Sequence, residues 1–170
     1  SIALGYPITL FFNENKKRKL DFGARDAELK EIEKVVNTLS HALPRNCIKI
    51  LCFGNHESRV FKYYERFPQM IGRLDILSVL ELEKNGWRCY PEGLGVMIGN
   101  VFFTHSTYGN KHACHKTTDY GINVIFGHIH TWQTYTRVVN GRPVTATSIG
   151  HLGDLEHLNR QYLDGRPVNW

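Results

Sequence analysis

The sequence predicts an α/β fold in which two β-sheets are flanked by helices, and three observations carry that expectation. Short apolar runs at 47–53 and 123–126 read as buried strands, and each stops at a glycine. Just before the first of them, Leu29, Ile32, Val35, Val36, Leu39 and Leu43 recur at helical spacing with charged residues between. Past residue 86 the period shortens to that of strands joined by tight turns.

Taken in order, residues 1–25 show little periodicity and are expected to be irregular or partly helical. An amphipathic helix follows, with Asp26 placed to cap its start and Pro44 forbidding its continuation. It leads into the strand at 47–53, which suggests β-α-β layering with helices packed on a sheet. Residues 59–67 and 70–82 read as two further helices broken at Pro68, with the stripe Phe61, Tyr64 and Phe67 taken as packing.

Strands are expected at 87–90, 96–98 and 101–104, the last two joined by Gly99-Asn100, which suits a tight hairpin turn. Residues 109–120 are polar, and the close spacing of His112, Cys114 and His115 reads as part of a helix or loop lining a cleft rather than as a zinc site. After the strand at 123–126, the stretches 131–139 and 142–148 are β-rich. They are separated by Asn140-Gly141, a strong hairpin signal, and indicate a second sheet layer. The tail from Gly150 to Trp170 is polar and loop-like.

The 170 residues, 42% hydrophobic and 22% charged, are enough to bury one sizeable core, so a single domain over 1–170 is expected. Net charge is +5, but basic residues cluster only at Lys16-Lys17-Arg18-Lys19, a run of the kind that is ordinarily a solvated loop. Cys47, Cys52, Cys89 and Cys114 form no C-x-x-C pair and read as reduced core residues. With no secretion leader and no apolar run of about 18 residues, a soluble cytoplasmic protein with no membrane partner is expected.

Chemistry is concentrated where strands end. Gly54-Asn55-His56-Glu57, His105 and Gly127-His128-Ile129-His130 each follow an apolar strand directly. In an extended segment His128 and His130, at i and i+2, would point the same way and could approach a metal, or two neighbouring metals, from one side. Imidazoles with a carboxamide oxygen suit Zn, Mn or Fe better than Ca.

G-N-H-E, then a strand-terminal His, then G-H-x-H, in this order over residues 54–130, resembles the calcineurin-like metallophosphoesterase superfamily. The G-N-H-E-x-R form, with Arg59, looks most like its small bacterial and phage members. The resemblance implies a four-layer sandwich and a phosphoesterase acting through two divalent metal ions, manganese foremost, with zinc or iron as alternatives. Asn55, His105 and His128 would ligate one metal and His130 the other. His56 would be the catalytic acid or charge stabiliser beside the phosphoryl group. Glu57 would hold a ligand or the loop in orientation, and Arg59 would reach the phosphate or pair with a nearby acid.

Two of the family's five blocks, D-x-H and G-D-x-x-D, do not occur between Ser1 and Phe53, and the segment from Asp21 to Asp26 does not fit the second. Those blocks supply a bridging carboxylate, and without them tight binding of two metals is physically disfavoured. The chain is therefore expected to be a C-terminal portion of such a domain, incomplete at its N-terminus and weakly active or inactive alone. Two alternatives stand beside this: a metal-poor, non-catalytic binding or scaffold module of the same fold, and a DNA-processing nuclease acting on DNA ends; the class of phosphate-ester substrates expected includes nucleotides and nucleic acid.

Overall fold

The computed structural model describes residues 22–71 and 81–150. The expectations for the irregular start, for most of the helix at 70–82 and for the polar tail fall outside them. The fold is mixed α/β, with a two-stranded sheet, a five-stranded sheet and a few helices. The chain divides into two compact units, Ser1–Glu92 and Gly93–Trp170, taken here one at a time.

In the first unit, helix α1 spans Phe22–Ala42, so Asp26 lies inside the helix and does not cap it. Ala24 and Arg25, both strong helix formers, carry the helix back past the residue chosen from its capping chemistry. Ile32 and Val36, one turn apart, are 7% and 1% exposed, while Val35 and Leu39 are 55% and 47% exposed. Among the side chains described, the fully buried face is thus an i, i+4 seam, narrower than the stripe that the apolar spacing suggested.

The helix ends where Pro44 cannot donate a hydrogen bond. The Cys47 amide then turns back to the Pro44 carbonyl at 2.9 Å. That turn uses the amide of the first residue of the predicted strand, so strand β1 covers only Lys49–Cys52. It pairs in parallel with β2, Trp87–Tyr90, with Leu51 opposite Cys89. The Trp87 indole donates to Ser40 Oγ at 2.9 Å and ties α1 to this sheet.

Between the two strands runs helix α2, Asn55–Arg66, which begins four residues before the predicted Arg59. Phe61 is half in water yet packs on Phe53, ring centres 6.0 Å apart. A 3-10 turn at Pro68–Met70 follows, closed by the Ile71 amide on the Pro68 carbonyl at 3.1 Å.

The second unit is built on a five-stranded sheet of β3 (Gly95–Ile98), β4 (Val101–Thr104), β5 (Asn123–Phe126), β6 (Trp132–Val139) and β7 (Arg142–Ile149). The strand order is β3-β4-β5-β7-β6, with the central β4, β5 and β7 parallel and both edge pairings antiparallel. The hairpin β6–β7, expected to open a new sheet layer, extends the sheet that holds β3 to β5, whereas β2 belongs with β1. Gly99 at φ +59° serves the β3–β4 turn, and Asn140 and Gly141, at +50° and +75°, have the two positive φ values of a type I′ turn.

Helix α3, Ala113–Thr117, and the 3-10 turn Thr118–Tyr120 cover one face of this sheet. Ala113, Cys114, Val124, Phe126 and Ala146 form the buried cluster there, with Phe102, Tyr108 and Ile129 packed against it. Phe126 is 1% exposed. Phe126→Ala is therefore expected to lower the unfolding free energy by about 3–5 kcal/mol, against less than about 0.5 kcal/mol for Val138→Ala on the exposed edge strand, as measured by denaturant titration.

Candidate functional site

The first polar loop is an organised helix start. The Gly54 carbonyl accepts the Ser58 amide at 3.1 Å, which makes Gly54 the capping residue of α2. The Gly54 amide in turn donates to Glu57 Oε2 at 2.7 Å, so the third helical residue reaches back to the cap as in a capping box. The Ser58 hydroxyl adds a second bond to the Gly54 carbonyl, also at 3.1 Å.

Glu57 is 3% exposed, and its carboxylate sits at the positive end of the helix dipole. It holds the shape of the loop that presents Asn55 and His56, both half-buried. These two occupy the first helical positions. Arg59 lies further along α2 and is half-buried.

In the second unit, the register of two parallel strands does the positioning. Thr104 at the end of β4 is opposite Phe126 at the end of β5. The next residues therefore leave the sheet side by side, and the Gly127 amide donates to the His105 carbonyl at 2.9 Å. The His105 and His128 rings then meet edge to face, centres 5.5 Å apart and planes at 72°.

The expected extended geometry of Gly127-His128-Ile129-His130 is not what the chain adopts. His128 has φ +76°, and the Ile129 amide bonds the Gly127 carbonyl at 3.0 Å, the signature of the rare γ-turn with positive φ. His130 is also in the left-handed region, at φ +53°. A period of two therefore does not apply, and His128 and His130 are not aligned by a strand pleat. The turn forms because Ile129 packs into the buried cluster and the Thr131 hydroxyl donates to the Ile129 carbonyl at 3.2 Å. Non-glycine residues in such conformations are strained and concentrate at functional sites.

Two contributors were not singled out from the sequence. Ile129 is the apolar anchor between the histidines, and the only signal for it was its hydrophobicity in a polar loop. Gly109 is the other: a Cβ there would lie 3.2 Å from His128 Nε2, so the missing side chain leaves room for the ring. His112, Cys114 and His115 separate onto different faces. Cys114 is buried with its thiol directed to the Gln133 carbonyl at 3.4 Å, while His112 and His115 are exposed. Burial raises the thiols of Cys52, Cys89 and Cys114 above the ordinary cysteine range, which makes them poor thiolate ligands at neutral pH.

Two imidazoles sharing one ion, with nitrogens roughly 2.0–2.1 Å from it, have ring centres roughly 5 Å apart. The His105–His128 pair fits that requirement, and its donors suit a transition metal. Among the described residues no group of three or more His, Cys, Asp or Glu is arranged to hold a metal ion. No family model, no curated protein and no solved structure matches the chain. Among the described residues, no helix is long and apolar enough to cross a membrane.

Glu57→Ala removes the reciprocal cap and leaves the Gly54 amide buried without its carboxylate. A loss of about 1–2 kcal/mol of stability is expected in denaturant melts, with α2 fraying first in amide hydrogen exchange.

Proposed function

We propose that this chain takes part in metal-dependent hydrolysis of phosphate esters, with His105 and His128 as an imidazole pair on one divalent ion. The observation that carries this reading is the pair itself. Two histidines lie at adjacent ends of parallel strands, 5.5 Å apart, and one of them is held in a strained turn. The motif resemblance supports it and assigns Asn55 to the same ion, His130 to a second, and manganese, zinc or iron as the metal. The same reading carries with it the four-layer fold of the metallophosphoesterases.

Bound metal would supply Lewis-acid polarisation of the phosphoryl group and an activated water nucleophile. The chain's own residues would orient and neutralise. His56, in the first turn of α2, would donate a proton or hydrogen bond as negative charge develops on phosphate oxygens. Glu57 would keep the start of α2, and His56 with it, in place by holding Gly54.

Titration with Co(II), followed by visible absorption, is expected to show an ion held by imidazole nitrogen, with affinity at least ~10-fold weaker in His105→Ala and in His128→Ala. Equal spectra and equal affinity in those variants would overturn the metal assignment. Whatever Mn-dependent turnover of bis(p-nitrophenyl) phosphate is measured should fall by about 10²-fold or more in His56→Ala, with Co(II) affinity unchanged.

A further inference from the structure

The structure brings together residues that looked dispersed in the sequence. Around α3 a ring of side chains forms, exposed except for Tyr108 and Arg137, which are half-buried. Lys116 Nζ stands 5.7 Å from the centre of the Tyr108 ring, and Tyr108 meets Tyr120 at 6.4 Å. His115 lies against Tyr135 at 4.8 Å, and Arg137, two residues along the same face of β6, pairs with Asp119. Lys111 and His112, both exposed, immediately precede the helix.

The inner side of α3 is committed to the core through Ala113, Cys114 and Thr117, so the outer residues are available for another purpose. Tyr120 is 47% exposed and Tyr135 39%, so part of each ring is open to a ligand. The one carboxylate in the ring, Asp119, is already paired with Arg137, which leaves Lys111 and Lys116 as its net charge.

We propose that this basic and aromatic surface binds single-stranded nucleic acid. Two lysines alone supply too little charge to hold a duplex, whose bases are already stacked and offer no π-face. Tyrosine rings beside lysines suit a strand whose bases are unstacked: the rings take bases and the ammonium groups take phosphates. An acidic peptide or an anionic membrane would use the lysines but leave Tyr120 and Tyr135 without a role.

The surface begins at the proposed metal pair. Tyr108 and Gly109 lie on the loop that leaves His105, and Gly109 stands against His128. A strand lying on the ring would thus run toward that pair with its phosphodiester backbone, a placement that rests on the hydrolytic reading. Binding to the ring does not.

Fluorescence anisotropy with a labelled oligothymidylate of about twelve nucleotides, in EDTA so that no metal contributes, tests the binding. The protein is expected to bind it at least ~10-fold more tightly than a duplex of equal length. Tyr120→Ala and Tyr135→Ala should each weaken binding about 5-fold or more, and Tyr120→Phe should restore it. The double variant Lys111→Ala/Lys116→Ala should reduce the slope of log affinity against log salt by about 1.4. Circular dichroism of each surface variant confirms that the fold is retained.

No binding, equal binding of duplex and single strand, or displacement by a poly-glutamate peptide of the same charge would overturn the proposal, as would binding indifferent to the tyrosines. The two readings separate on Co(II) titration. Oligonucleotide binding by a protein whose Co(II) affinity is indifferent to His105→Ala and His128→Ala would keep the surface and remove the metal reading. Co(II) binding that depends on both histidines, without oligonucleotide binding, would do the reverse.

Discussion

The parallel register of β4 on β5 is the constraint on which the second unit's chemistry depends. Thr104 opposite Phe126 makes both strands end at one level, and only that alignment lets the Gly127 amide reach the His105 carbonyl. A slip of one residue would reverse the faces of β5, turning Val124 and Phe126 out of the core and Ile125 in. The buried cluster under α3 forbids this, since Val124, Phe126 and Ala146 are all essentially fully buried on its side. Core packing thus fixes the register, and the register fixes the distance between two histidines that make no part of the core.

The same economy appears in the strained turn. Left-handed conformations at His128 and His130 cost on the order of 1–3 kcal/mol each and persist only where neighbouring contacts over-determine them. Ile129 supplies that determination by packing its half-buried side chain against the cluster that fixes the register. Gly109 contributes by absence, because any side chain there would crowd the His128 ring. One hydrophobic cluster therefore holds the sheet ends, the turn between them and, through Tyr108, the loop that follows His105.

The sequence made the element types legible and the site's local geometry much less so. Strands at 87–90, 101–104 and 123–126 are where their apolar runs and flanking turns put them, because short buried strands bounded by glycine and hairpin dipeptides are local signals. Helix boundaries moved where capping chemistry was given too much weight: Asp26 marks no start, and α2 begins at Asn55 because Glu57 completes a cap that spacing alone did not reveal. Membership of the sheets was not legible either. Hairpin signals name which strands are joined but not which neighbours they add to, so β6 and β7 extend the sheet of β3 to β5 instead of opening another. The positive φ values of His128 and His130 lay beyond any composition rule, since histidine seldom adopts them without tertiary contacts that hold it there.

The two polar loops solve one problem with opposite means. Each must present an imidazole immediately after a buried strand, where backbone amides and carbonyls lose their ladder partners. After β1 the chain starts a helix, and the buried Glu57 satisfies the capping amide, so His56 is presented from regular, unstrained backbone rich in amide donors. After β5 no helix starts; the Gly127 amide is taken by the His105 carbonyl and the Ile129 amide by a γ-turn, so His128 is presented from strained backbone. The first arrangement sets its imidazole at the positive end of a helix dipole, whereas the second brings two imidazoles edge to face.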